Sequence, residues 1–331
     1  MEHVSTKAEV PMPVTWRGSW LTWVAATTSC LEALGVECDQ IDVAGQTGYA
    51  FVMTVQQQLC PSAPTMFDWG MLDHGVHMLG RSTLVFGSSD CHDRSRCGER
   101  TRQHCQAAYE FVTQQVMDGR PCVIWGAYVP EFAVVTGVSD GRYQVKSFRQ
   151  LLGQAEEAIP YDALEAPGGP YMMAFPTRTD VRRREVLADR YAVGNAVSLL
   201  GRPTVFREFG FGLESYAMWI DALEQDQAVG FGNAYNAQCW AEAKGYARAW
   251  LERVADRQKK VRVPLRRAAS LYADVETAMR SVAELFPFPE DGETADAGRR
   301  KRAVEHLNEA HAAEVRAYEA LRAAVFADWG S

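Results

Sequence analysis

The sequence predicts an α+β fold, with a central antiparallel sheet in residues 12–178 and an all-helical domain in residues 179–331. The sheet is predicted from the stretch between Arg120 and Phe148, which holds three apolar runs separated by a proline and by the pair Asp140-Gly141. Short valine-rich runs bounded by turn residues are typical of buried strands, and Asp-Gly is a strong hairpin signal. The predicted strands are Cys122–Ala127, Phe132–Val138 and Tyr143–Val145, with two more at Ser82–Phe86 and Tyr171–Phe175.

The helical domain is predicted from a change of composition near Asp180. Glycine and β-branched residues become rarer there, alanine, arginine and glutamate increase, and apolar residues recur at helical spacing. The predicted helices are Leu187–Leu200, Gly212–Leu223, Gln238–Val254, Pro264–Phe286 and Ala295–Ala327. Their alanine-rich faces suggest an interface for a homodimer.

The composition bounds the class of protein. The chain has 331 residues, a net charge of -8 and an apolar fraction of 47%, as expected for a globular protein of one large or two medium domains. It has no basic stripe of the kind that binds nucleic acid, and no apolar run near the roughly 18 residues of a membrane span. The first eleven residues are expected to form a loose arm and lack the apolar core of a signal peptide. A cytoplasmic protein that binds neither nucleic acid nor membrane is therefore expected.

The eight cysteines of the chain do not form a disulfide scaffold, so most are expected to be reduced thiols. Two groups of cysteine and histidine are candidate metal ligands by their spacing, but the first lacks further ligands nearby and the second lacks the C-x2-C knuckle of a zinc site. The groups are His74 with His77, and Cys91, His92, Cys97, His104 and Cys105. The sequence favours a surface loop with incidental thiols, and it predicts neither a metal nor a cofactor.

Near the N-terminus, a loop with three tryptophans leads into a helix of small and apolar residues that is expected to end at Gly35. Aligned on Leu34-Gly35, this helix resembles the first core helix of papain-like and C39-like proteins, whose N-terminus carries a nucleophilic cysteine. The matching position in this chain is Thr22. Cys30, two turns into the helix, is expected to be a small buried residue.

The segment Glu131-Phe132-Ala133-Val134-Val135-Thr136-Gly137 leads into the second predicted strand, Phe132–Val138. It resembles the strand of the C39-type peptidase core that begins His-aromatic-Val-Val-Val-x-Gly and presents the catalytic histidine at its first residue. Glu131 occupies that position here. The fold implied by this resemblance is a papain-like domain.

Three further segments resemble the group of the butirosin biosynthesis protein H N-terminal domain and its helical C-terminal region. They are Gly45–Phe51, Cys60–Trp69 and Phe211–Trp219. The resemblance covers nearly the whole chain. It implies the transfer of an acyl group from a carrier to an amine.

In papain-like enzymes a cysteine attacks a carbonyl, a histidine moves the proton, an Asp or Asn orients the histidine, and a glutamine binds the oxyanion. Carried over by position, the nucleophile site is Thr22, the base site Glu131 and the orienting site Ser147, while the glutamine position falls near Trp16. Every one of these residues differs from the family pattern. A carboxylate with a pKa near 4 is too weak a base to deprotonate a threonine hydroxyl unless burial raises that pKa by several units.

The function predicted from these residues is a variant acyl-transfer enzyme, forming or cleaving amides without a cysteine nucleophile. In it, Glu131 receives the proton of the amine. The predicted partners are a small-molecule amine with an acyl donor, free or presented by a carrier protein, or a peptide. Candidate substrate-binding residues are Trp16, Ser19, Trp20, Gly48, Phe51 and Tyr128.

Two alternatives remain open from the sequence. The first is a noncatalytic pseudoenzyme that binds a small molecule or peptide in the cleft around Glu131, since the cysteine, histidine and glutamine are lost together. The second is a metal-dependent hydrolase that uses His74 and His77, or the group from Cys91 to Cys105.

Overall fold

The computed structural model describes residues 7–87, 98–167, 169–180, 185–202 and 208–330. They form two compact units. The first comprises the described residues of 1–43 and 76–180, and the second those of 44–75 and 181–330. Residues 44–75, which lie within the predicted sheet domain, therefore belong to the second unit.

The described strands and helices are named here in chain order. The strands are β1 (Lys7–Glu9), β2 (Thr54–Gln56), β3 (Leu84–Gly87), β4 (Cys122–Trp125), β5 (Phe132–Ser139), β6 (Arg142–Lys146), β7 (Ile159–Pro160), β8 (Tyr171–Ala174) and β9 (Phe209–Phe211). The helices are α1 (Thr22–Ala33), α2 (Gln40–Thr47), α3 (Asp73–Met78), α4 (Gly98–Met117), α5 (Glu185–Leu200), α6 (Ser215–Glu224), α7 (Gly230–Arg257), α8 (Arg262–Leu285) and α9 (Ala297–Phe326).

The first unit is built on an antiparallel sheet with the strand order β3-β8-β4-β5-β6-β7. The predicted hairpin is present, since β5 and β6 pair around Asp140 and Gly141. On its other edge β5 pairs with β4 at residues 132–135 and with β1 at residues 137–139. The α+β class with a central antiparallel sheet is confirmed.

The expectation of a loose arm over the first eleven residues was wrong for residues 7–9. These residues form β1, in which Lys7 lies opposite Ser139 and Glu9 opposite Gly137. The strand forms because β4 stops opposite Val135, which leaves the rest of that edge of β5 without a neighbour from β4. Backbone pairing thus orders a polar segment that has no strand pattern of its own.

Helix α4 covers one face of this sheet. Ala108, Val112 and Val116 of α4 are fully or almost fully buried against alternating strand residues. The strand residues in this cluster include Cys122, Ile124, Ala133, Val135, Tyr143 and Met172. The period of two along each strand places one face of the sheet in this core.

The second unit is mainly helical and also contains the short antiparallel pair of β2 and β9. Helices α5 to α9 correspond to the five predicted helices, but α7 begins eight residues before the predicted start at Gln238. The early turns contain Gly230 and Gly232, which weaken helix propensity and hid this start. Gly232 is required by packing, because a Cβ there would lie 1.9 Å from the carbonyl oxygen of Leu59.

In the described part of the chain, no helix combines the length and the apolarity needed to cross a lipid bilayer.

Candidate functional site

The two residues that the sequence predicted as the nucleophile site and the base site, Thr22 and Glu131, are in direct contact. The Thr22 hydroxyl donates a hydrogen bond to Oε2 of Glu131, with 2.5 Å between the oxygens. The same hydroxyl accepts a hydrogen bond from the backbone N–H of Phe132 at 3.1 Å. Thr22 is the first residue of α1, and Glu131 directly precedes β5. The site therefore lies where the N-terminus of α1 meets the start of a central strand.

Helix α1 is fixed at both ends. A turn precedes it, in which the Ser19 hydroxyl accepts a hydrogen bond from the Leu21 N–H at 3.1 Å. The helix ends at Ala33, and Gly35 follows its C-cap with a φ of +75°, which suits glycine. There the buried Arg81 donates from Nη2 to the carbonyl of Leu34 at 2.7 Å. A cation at the C-terminus of a helix is electrostatically favourable, so both contacts stabilise the position of Thr22.

The loop before Glu131 turns tightly. The Gly126 N–H donates to the Glu131 carbonyl at 2.9 Å, and the Glu131 N–H donates to the Val129 carbonyl at 2.6 Å. Gly126 has a φ of +85°, and a Cβ at this position would lie 2.7 Å from the backbone nitrogen of Ala166. Only glycine fits here, because both the conformation and the close approach exclude a side chain. This loop sets the direction from which Glu131 reaches α1.

The electrostatics of the site come from a carboxylate beside a helix N-terminus. The first turn of α1 contains no acidic residue, and its N-cap residue makes no side-chain hydrogen bond. Glu131 brings a negative charge from the sheet to this end of the helix, where the helix dipole favours it. The carboxylate is half-buried, and Thr22 is 8% exposed. The Glu131 carboxylate therefore accepts the Thr22 hydrogen bond beside the positive end of the helix dipole.

No protein-family model matches the chain, and no curated protein is significantly similar to it.

Ser147 lies in the first unit, but its hydrogen bonds serve a local role. Its hydroxyl donates to Glu156 at 3.0 Å, its N–H donates to the same carboxylate at 2.7 Å, and it accepts from the Arg149 N–H at 3.2 Å. It caps a short 3-10 helix at Phe148–Leu152. The orienting role implied by the resemblance is therefore replaced by a capping role.

Trp16 lies beside the body of α1. The next residue, Arg17, donates its backbone N–H to the Ser29 hydroxyl at 3.3 Å, which places this segment about 10 Å along the helix from Thr22. Trp16 is buried. Its backbone position favours packing over binding of an oxyanion at Thr22. Trp20 is half-buried in the turn that leads to Thr22.

Gly48 and Phe51 belong to the second unit and have packing roles there. Phe51 is fully buried, with its ring 5.9 Å from that of Trp250 and 5.5 Å from that of Tyr272. A Cβ on Gly48 would lie 2.7 Å from the Asn195 side chain. Because the Phe51 side chain has no exposed surface, the structure does not support its predicted role in substrate binding.

Tyr128 lies in the Gly126–Glu131 loop. Its ring contacts Arg149, a residue that was not singled out from the sequence. The Tyr128 hydroxyl donates to the Glu157 carbonyl at 2.6 Å and accepts from the Glu157 N–H at 2.7 Å. Burial raises the pKa of Tyr128 to about 12. The guanidinium of Arg149 lies over the Tyr128 ring, 4.4 Å from its centroid. No sequence signal marks Arg149, because it is separated from Tyr128 by a whole hairpin.

The cysteines and histidines do not assemble a metal centre within the described residues. No group of three or more His, Cys, Asp or Glu there has a metal-binding arrangement. His74 and His77 are exposed on α3, and the His74 ring lies 3.9 Å from that of Tyr191. Cys91, His92 and Cys97 lie outside the described residues. The metal-hydrolase alternative thus has no geometric support in the part of the chain that the structure describes.

The six cysteines in the described part of the chain are free thiols. Cys30 is fully buried, as expected, and burial raises its pKa well above the ordinary value, with a further contribution from Cys122. Burial also raises the pKa of Cys122 to about 12. These two thiols remain protonated at neutral pH and are poor nucleophiles.

Proposed function

We propose that this chain is a variant acyl-transfer enzyme of the butirosin protein H type, in which Glu131 accepts the proton of a bound amine. The observation that carries the proposal is the hydrogen bond from the Thr22 hydroxyl to Glu131. In papain-like proteins the nucleophile and the base meet where the first core helix approaches a central strand. The meeting of Thr22 and Glu131 at such a junction supports the resemblance.

The reaction is the attack of an amine on an acyl donor such as a carrier-bound thioester. The nitrogen lone pair forms a bond to the carbonyl carbon, and the nitrogen then loses a proton to the Glu131 carboxylate. The bond between the carbonyl carbon and the leaving group breaks, and the leaving group takes up the proton. The products are an amide and a free thiol, without a covalent enzyme intermediate. With water in place of the amine, the same carboxylate serves hydrolysis.

Thr22 acts in this proposal as a positioning residue. Its proton is directed to Glu131, and one of its two lone pairs accepts the Phe132 N–H. Its hydroxyl also has too high a pKa for a carboxylate to generate an alkoxide at neutral pH. Thr22 therefore fixes the carboxylate instead of attacking the acyl donor.

A noncatalytic binding protein is the second candidate, and the burial of Thr22 favours it. A half-buried carboxylate held by a buried hydroxyl is a fixed anchor for an amine or guanidinium ligand. Binding requires only this anchor. Catalysis requires in addition an acyl donor placed beside the bound amine.

The test compares the wild-type protein with E131Q and with the control E9Q, which removes an exposed carboxylate on β1. Calorimetry with a panel of primary amines and guanidines measures binding, and mass spectrometry with short acyl thioesters measures amide formation. We expect E131Q to weaken binding by about tenfold or more, because a hydrogen bond to a charged group is lost. E9Q should behave as the wild type.

Amide formation that E131Q abolishes and E9Q retains supports the enzyme. Binding that E131Q abolishes, with no turnover from any thioester, selects the binding protein. Turnover that is equal in the wild type and E131Q overturns the proposed role of Glu131.

A further inference from the structure

A cation is held on the loop that carries the proposed base. Tyr128 precedes Glu131 by three residues, so their Cα atoms are at most about 11 Å apart. Arg149 lies over the ring of Tyr128, 4.4 Å from its centroid. The Tyr128 hydroxyl is locked by two hydrogen bonds to the backbone of Glu157. The Tyr128 ring therefore links Arg149 to the loop that ends at Glu131.

Arg149 has donors that the described residues do not use. Its side chain is only 22% exposed, yet it makes no side-chain hydrogen bond within the described part of the chain, and its Nε–H is buried without an acceptor there. Its nearest carboxylate oxygen is Oε1 of Glu157, at 3.9 Å, on a side chain that is 78% exposed. Exposed pairs of this kind contribute little. Since a guanidinium has five N–H donors, most of the hydrogen-bonding capacity of Arg149 is not used by the described residues.

The surroundings of Arg149 are preorganised. Its backbone N–H donates to the Ser147 hydroxyl, and the other acid of this region, Glu156, is already engaged by the N–H and hydroxyl of Ser147. Tyr128 adopts a φ of 70°, which is unusual for a residue with a side chain. Such strain is often found where a binding group must be placed.

We infer that Arg149 binds a carboxylate of the acceptor, so that the acceptor is an amino acid or the end of a peptide. The amino group of this acceptor meets Glu131, and its carboxylate meets the planar guanidinium, which can bind both oxygens at once. The inference rests on the proposed function, because it assigns the second group of the amine that Glu131 receives.

The test uses matched ligands that differ in charge. Calorimetry is performed with ω-amino acids from glycine to 6-aminohexanoate, with alkylamines of the same chain lengths, and with the corresponding carboxylic acids. The proteins are the wild type, R149Q, R149K and R322Q. Arg322 is a matched control, since it also lies over a tyrosine ring, that of Tyr318, and beside a glutamate, Glu319.

The wild type should bind at least one amino acid about tenfold or more tightly than the matched amine, and R149Q should abolish that preference. R149K, which keeps the positive charge but not the planar guanidinium, should retain part of the preference for amino acids. R322Q should retain all of it. If Arg149 had only a structural role, R149Q would weaken the binding of amines and of amino acids equally. That result overturns the inference. A wild type that binds amino acids no more tightly than the matched amines overturns it as well. Thermal unfolding of each variant confirms that it is folded.

The failure of the proposed function has a different signature. If E131Q leaves amine binding unchanged while R149Q selectively loses carboxylic acids, Arg149 is a carboxylate site and Glu131 is not the amine site. If none of the ligands binds the wild type, both the function and the inference are overturned.

Discussion

At the scale of residues, the hydrogen bond between Thr22 and Glu131 joins the N-terminus of α1 to the start of β5. The sequence indicated both positions through a resemblance, but not that their side chains touch, because residues 22 and 131 are far apart in the chain. Arg149 was not singled out from the sequence, since its stacking on Tyr128 depends on how two loops meet. A sequence pattern shows the spacing of apolar residues along a helix or strand. It does not show which loop side chains contact each other.

Replacing Thr22 with valine keeps the shape of the side chain and removes its hydroxyl. Glu131 then loses a donor and the Phe132 N–H loses an acceptor. We expect T22V to lower the free energy of unfolding by about 1–3 kcal/mol, measured by urea denaturation. T22S keeps the hydroxyl and should remain closer to the wild type. A T22V protein as stable as the wild type would show that these bonds do not form in solution.

At the scale of elements, the three central strands and the five helices of the second unit were predicted well, because their apolar residues follow a period of two or of 3.6. β1 was missed since its order comes from pairing with β5 and not from its own side chains. The start of α7 was missed because Gly232 is selected by contact with Leu59. Both misses have tertiary causes that local patterns do not contain.

The Gly126–Glu131 loop provides a test at this scale. We expect G126A to lower the free energy of unfolding by about 2 kcal/mol or more, because a Cβ at φ +85° is strained and lies 2.7 Å from backbone of Ala166. The matched control is G153A, since Gly153 has a φ of +64° with nothing within 4 Å of a Cβ. It should lose only the strain of about 1 kcal/mol. Equal losses in denaturant unfolding would contradict the crowding at Gly126.

At the scale of the whole molecule, the described chain divides into two units whose residues are not contiguous in sequence. Residues 44–75 join the helical unit, whereas sequence placed them with the sheet. Composition changes mark where a chain alters its secondary structure, near Asp180 here. They do not show that an earlier segment packs with a later one.

The helical unit contains a buried ion pair that should dominate its response to mutation. Lys244 and Glu314 are 0% and 1% exposed and lie 2.7 Å apart. The hydroxyls of Tyr216 and Tyr272 also donate to Glu314, at 2.6 and 2.8 Å. Burial raises the pKa of both tyrosines well above the ordinary value, so these hydroxyls stay protonated and remain donors at neutral pH.

Removing only the lysine leaves a buried carboxylate without its cation. We expect K244M to lower the free energy of unfolding by about 3–5 kcal/mol, measured in urea. The double variant K244M/E314Q removes the charge but keeps an acceptor for the two tyrosines, so it should recover most of this loss. A double variant less stable than K244M would show that the cost does not arise from an unpaired charge.

The pairing of β1 with β5 has a practical consequence for handling the protein. Trimming the first ten residues would strip a neighbour from the strand that follows Glu131 and open the backbone groups of residues 137–139. An open strand edge recruits strands from other molecules. Shortened versions should therefore be checked for self-association by light scattering before any change in their behaviour is attributed to the site at Glu131.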